Sequence, residues 1–194
     1  DEAVERVLVL KELLGLFEDP FVDEEGEKCF FSPEHRAAAR DSARRSMVLL
    51  KNEAKVLPIE KGTKIALIGP LCDNKVDVLG SWAGKCEPDK TITVLEGIVD
   101  AYGCGNVLHT KGCDIDSDDK SGFEEALNIA KQADVVVLAV GESRDMSGEA
   151  SCRSDLRLPG VQEDLILKIA ETGKPTCAIV FAGRPIVMER WKDS

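Results

Sequence analysis

The stretch 133–160, ADVVVLAVGESRDMSGEASCRSDLRLPG, decides how the rest of the chain is read. From Asp134 to Val140 it is apolar after the first residue, with none of the alternation of a half-exposed strand. Such a run needs cover on both faces, the condition met in a parallel sheet. It stops abruptly in a loop that brings Glu142, Asp145, Glu149, Arg153 and Asp155 together among small residues. In an open parallel sheet, ligands meet side chains just beyond the carboxyl ends of strands, so this loop is the candidate site. Glu149, between Gly148 and Ala150, is its candidate proton donor.

Working outward, the same grammar repeats. Lys64–Pro70 (KIALIGP) is a second strand with both faces apolar, Val107-Leu108-His109 a third, and Thr176–Phe181 a fourth. Helical patterns alternate with them. Thr93-Val94-Leu95-Glu96 has the form of a capping box opening a helix to about Tyr102, closed by Gly103. Ser121-Gly122-Phe123-Glu124 has the same form, ahead of a stripe of Phe123, Ala126, Leu127, Ala130 and Ala133. A helix from Pro159 to Thr172 turns Val161, Leu165 and Ile169 inward and stops at Gly173. This βαβα rhythm predicts an α/β fold: a doubly wound, mostly parallel sheet with helices on both faces and right-handed crossovers.

The first residues are organised differently. Ala3, Val7, Leu10, Leu14 and Phe17 fall on one stripe of a helix spanning about 3–16, and residues 18–31, acidic and interrupted by Pro20, read as a linker. A second helix starts with Ser32 as N-cap and Pro33 at the first helical position, with Ala39, Ala43, Met47 and Leu50 on its expected buried side. The chain begins inside a helical pattern without Met and closes on GRPIVMERWKDS without a stop signal, so it is expected to be an excerpt of a larger protein.

Composition removes several function classes. A net charge of −11 supplies no basic face for nucleic acid or for an anionic membrane surface. No run of about 18 apolar residues is present to span a membrane. Seven cysteines without a CxxC pair read as reduced thiols rather than as a disulfide framework, which inclines the expected compartment towards the cytoplasm. His35 and His109 lie in no cluster at metal spacing, and Gly69-Pro70 lacks the further glycines of a phosphate-binding loop, so no metal or other cofactor is assigned.

Seven segments taken in order resemble glycoside hydrolase family 3, whose larger members are β-glucosidases and related exo-acting enzymes. They are DEAVERVLVLKELLGLFEDPF, AARDSARRSMVLLKNEAKVLPI, KIALIGPLCDN, TVLEGI, ADVVVLAVGE, SGEASCRSDLRLPGVQEDLI and KPTCAIVFAGRP. The resemblance implies that residues 1–17 are the last helix of a (β/α)8 catalytic barrel, 18–31 a linker, and 32–194 a second α/β sandwich domain truncated at its C-terminus. It implies a retaining exo-acting β-glycosidase, foremost a β-glucosidase acting on terminal non-reducing glucosyl residues. A β-xylosidase or another exo-glycosidase of the family is the alternative. The aspartate nucleophile would lie on a barrel strand outside this sequence, so the chain alone is expected to be inactive. It would pack on that barrel and act on β-linked glucosides or short oligosaccharides.

In the family, the acid/base glutamate of many members comes from a loop of the second domain, which carries that role to Glu149 in the segment Ser147-Gly148-Glu149-Ala150. Retaining hydrolysis uses two carboxyl groups about 5–5.5 Å apart, one attacking the anomeric carbon and one exchanging a proton with the leaving oxygen and then with water. Glu142 is a second candidate acid, or a brace for the loop. Asp145 and Arg144 are candidates for contacts to sugar hydroxyls. Arg153 is expected to fix the loop by pairing with Asp145 or Asp155. Trp82, in the glycine-rich segment Gly80–Gly84, could stack on sugar or pack on the barrel. A non-catalytic doubly wound domain for ligand sensing or packing is the reading from a different class.

Overall fold

The apolar run forms strand β3 (Val135–Gly141), flanked by β1 (Ile65–Ile68) and β4 (Thr176–Phe181), with β2 (Val107–Thr110) beyond β1. All pairings are parallel and the order is β2-β1-β3-β4. The computed structural model describes all residues 1–194, which fall into two compact units, Asp1–Lys51 and Asn52–Ser194; the sheet belongs to the second. All four β1 side chains are fully buried, as an apolar strand covered on both faces must be.

Alternate residues of the central strands feed two cores. Ala66, Ile68, Val136, Leu138 and Val140 pack with helices α4 (Phe123–Gln132) and α5 (Gln162–Ala170), through Ala126, Ala130, Leu165 and Ile169. Ile65, Leu67, Val137 and Ala139 face α3 (Val94–Tyr102), through Val94, Leu95, Ile98 and Tyr102. Each fully buried aliphatic side chain contributes roughly 1.5–3 kcal/mol, enough that neither face could be left to solvent.

The two faces follow from the direction of winding. From β1 the chain steps outward to β2 through α3; it then returns across β1 to β3 through α4 and continues to β4 through α5. With right-handed crossovers, reversing direction moves the helix to the other face. The reversal lies between neighbours β1 and β3. Loops leaving their carboxyl ends therefore diverge to opposite faces and leave a crevice between them.

Local signals explain most helix ends. Thr93 and Glu96 form the reciprocal capping box at α3: the Glu96 backbone N–H donates to Thr93 Oγ1, and the Thr93 N–H to Glu96 Oε2. Thr93 Oγ1 also donates to Asp73 Oδ1, which ties the β1 loop to this helix end. The second expected capping box does not form. The Ser121 hydroxyl and N–H both donate to the Asp119 carboxylate, and α4 starts from Gly122 without a side-chain cap. The helix expected from Pro159 begins only at Gln162, because Gly160 takes a left-handed φ of 58°.

The first unit contains α1 (Glu2–Leu13) and α2 (Pro33–Ser46), with Ser32 Oγ accepting from the His35 N–H as N-cap. No residue of α1 or α2 is buried. The expected buried side of α2 is corrected: Ala39 and Ala43 are exposed, while Met47 and Leu50 lie beyond the helix, 75% and 71% exposed. The helix ends at Ser46 because Met47 is extended, which takes the apolar run out of helical register.

Candidate active site

The crevice between the β1 and β3 loops is an open cleft of about 230 Å³, lined by Ser81, Trp82, Arg144, Asp145, Ser147, Glu149 and Ser151. The first two come from the β1 loop and the others from the loop after β3. Asp77 joins the two loops. Its Oδ1 accepts the Arg144 backbone N–H at 2.9 Å, while Asn74 Nδ2 donates to its Oδ2 at 2.7 Å.

Glu149 occupies the tip. The Ser151 N–H donates to the Gly148 carbonyl at 3.3 Å, closing a turn with Glu149 and Ala150 at its centre. Ala150 holds φ at 59°, a left-handed conformation that costs a non-glycine residue about 1 kcal/mol or more. Gly148, at φ 107°, has no such choice: a Cβ there would lie 2.8 Å from Ser81 Oγ. The tight reversal turns the Glu149 side chain outward, exposed and free of hydrogen bonds or ion pairs within the chain. Trp82, 74% exposed, is on the opposite wall, with its ring 3.8 Å from that same Cβ position on Gly148.

Glu142 has the opposite surroundings. It follows β3 directly and is 5% exposed. Arg153 Nη1 donates to its Oε1 at 3.0 Å, and Arg184 Nε lies 3.2 Å from Oε1 and 3.4 Å from Oε2. Both carboxylate oxygens thus face arginines within the protein, and burial keeps the group from the open cleft. The expected partner of Arg153 is corrected accordingly: it pairs with Glu142 rather than with Asp145 or Asp155. A buried carboxylate demands compensating charge, whereas exposed acids do not. Asp145, with its side chain 92% exposed, is 3.8 Å from Arg144. Asp155 is engaged by Arg157, whose side-chain and then backbone hydrogen bonds hold its carboxyl well below the usual range, so it carries no proton to donate near neutrality.

Two residues of this region escape sequence reasoning. Gln162 is fully buried; its Oε1 accepts the Gly141 N–H and its Nε2 donates to the Gly141 and Ile115 carbonyls, all at 2.8 Å. It lies among buried Val161, Leu165, Ile166 and Ile169, and a polar residue on an apolar stripe was the available signal. Arg184 gives no such signal, since an arginine after a strand is ordinary. All seven cysteines are free thiols, and burial pushes Cys72, beside β1, up to about 12.

Similarity to known proteins agrees with this architecture. The profile of the glycosyl hydrolase family 3 C-terminal domain matches residues 47–194. A periplasmic β-glucosidase of Salmonella typhimurium is 38% identical, the match covering 97% of this chain and 28% of that protein. A β-xylosidase of Formosa agariphila is also 38% identical, over 96% of this chain and 27% of the relative. The crystal structure of a mutant β-glucosidase from Listeria innocua with laminaribiose superposes with a TM-score of 0.90 at 34% identity, covering 99% of this chain and 26% of that one. The chain thus spans little more than a quarter of the length of these relatives. It belongs to glycoside hydrolase family 3.

Proposed function

We propose that this chain is part of a retaining exo-acting β-glycosidase, foremost a β-glucosidase, in which Glu149 is the general acid/base and Trp82, Arg144 and Asp145 form part of the substrate rim. The nucleophile comes from a (β/α)8 domain, of which residues 1–17 are the last helix and 18–31 the linker. The substrates are β-linked glucosides or short oligosaccharides with a terminal non-reducing glucosyl group. One observation carries this reading: Glu149 stands unpaired and exposed at the tip of a tight turn, over the crevice where the winding of the sheet reverses.

Family membership supplies the reaction class, and the local chemistry fits it. A proton donor must reach an oxygen that belongs to the substrate, so its carboxyl cannot be committed to arginine. Glu149 meets that condition, whereas Glu142 and Asp155 do not. In the first half of the cycle Glu149 protonates the departing glycosidic oxygen while the nucleophile attacks. In the second it takes a proton from the water that releases the sugar.

The test is Glu149→Ala in the full-length enzyme. Loss of general acid–base assistance is expected to lower turnover by about 10²–10⁴-fold, with azide restoring cleavage of an activated aryl glucoside as the glycosyl azide. Unchanged turnover would favour the non-catalytic reading. The equal identity to a β-xylosidase gives the second reading its support, and relative kcat/KM on aryl β-glucoside and β-xyloside separates the two.

A further inference from the structure

We infer that Arg184, from the segment after β4, is a positioning residue for the loop that presents Glu149; the inference rests on the acid/base reading above. Arg184 makes two kinds of contact with that loop. Its Nε faces both oxygens of buried Glu142, and its Nη2 donates to the Met146 carbonyl. Glu142 in turn holds Arg153, whose Nη1 also reaches Met146 Sδ at 3.6 Å and whose Nη2 donates to the Arg157 carbonyl at 3.4 Å. The loop is thereby held where it leaves the sheet, at Met146 on the way to its tip, and at Arg153 on the way back. Glu149 lies between the last two anchors.

A separate observation points to the same element. A Cβ on Gly183 would come within 2.3 Å of Ser147 Oγ, so the backbone leaving β4 presses directly on the residue that enters the Glu149 turn. The polar partners of Arg184, Glu142 and Met146, do not themselves line the Glu149 cleft, and its side chain is 18% exposed. Its role is to fix where the Glu149 carboxyl stands, with no part in the bond changes. Lysine at this position would keep a positive charge near Glu142 but lose the planar fork that spans a carboxylate and a carbonyl together.

A displaced proton donor harms substrates in proportion to their need for a proton. The experiment compares kcat/KM for a disaccharide or alkyl glucoside, whose leaving group must be protonated, with that for a dinitrophenyl glucoside, whose leaving group departs as the anion. It uses the full-length enzyme and its Arg184→Lys and Arg184→Ala variants, with Lys131→Ala, an exposed residue of α4 away from this loop, as a surface control. Displacement on the order of 1 Å predicts about a 10²-fold fall for the first substrate in Arg184→Ala, a smaller fall in Arg184→Lys, and little change for the second substrate. A parallel fall for both substrates, or no fall for either, overturns the inference. If Arg184→Ala does not accumulate as folded enzyme, the ratio in Arg184→Lys decides alone. Glu149→Ala, run beside them, separates the two layers. A selective loss there with none in the Arg184 variants defeats only this inference, and no loss in Glu149→Ala defeats the acid/base reading beneath it.

Discussion

Two carboxylates of one loop, Glu142 at its base and Glu149 at its tip, meet opposite conditions. Glu142 is buried between Arg153 and Arg184 and closes the end of β3; Glu149 is exposed on a strained turn with no partner. The contrast separates holding a structure from acting on a ligand. A paired, dry carboxylate stabilises its surroundings and has nothing left to offer a substrate, whereas an unpaired one at a crevice contributes little to stability and is free to react.

The comparison can be broken by substitutions that affect the two residues differently. Glu149→Gln is expected to reduce turnover by about 10²–10⁴-fold. Its unfolding free energy should stay within about 0.5 kcal/mol of the parent's, as for an exposed side chain without contacts. A stability loss of several kcal/mol would place Glu149 on the structural side. Glu142→Ala is expected to do the reverse to stability, costing about 3–5 kcal/mol in denaturant unfolding, because it strands two largely buried guanidinium groups.

Gln162→Leu sharpens the contrast at the same strand end. It removes the partner of the Gly141 N–H and carbonyl, and about 1–3 kcal/mol of stability should go with it. A comparable effect comes from the thiol of Cys72. Desolvation by burial raises it to about 12, above the value near 8.5 of an unfolded thiol. Between these values the unfolded chain releases a proton that the folded chain retains, so stability falls as pH rises. Moving from pH 8 to pH 10 should cost about 2 kcal/mol more in the parent than in Cys72→Ala, read from unfolding curves at both values. Trp82→Ala should leave stability within about 0.5 kcal/mol and raise KM several-fold, since its ring is exposed on the cleft wall. A lowered melting temperature with unchanged KM would assign the ring to packing.

Much of the fold is legible in order along the chain because the signals are local. An unbroken apolar run needs two covered faces wherever it occurs, and all four expected strands form, β4 with the same bounds and the others within a residue or two. The capping box at Thr93 forms because its partner is three residues away, and the same local pattern fails at Ser121 because Asp119 competes for the hydroxyl. The position of the candidate loop is equally legible, since it follows from where β3 ends. Which of its acids stands free is not. Arg153 has Asp145 and Asp155 nearer in sequence than Glu142, yet only Glu142 is drawn into a dry environment that requires a counter-charge.

By itself, then, the sequence determined the alternation of strands and helices, the loop that carries the acids, and, through its resemblance, the family. The tertiary structure decided the roles within that loop. Arg184 meets Glu142 across 42 residues of chain and Gln162 meets Gly141 across 21, and such pairings exist only once β3, β4 and α5 have been brought together. Periodicity reports which side chains face inward, but the charge balance of a buried site depends on every element that reaches it.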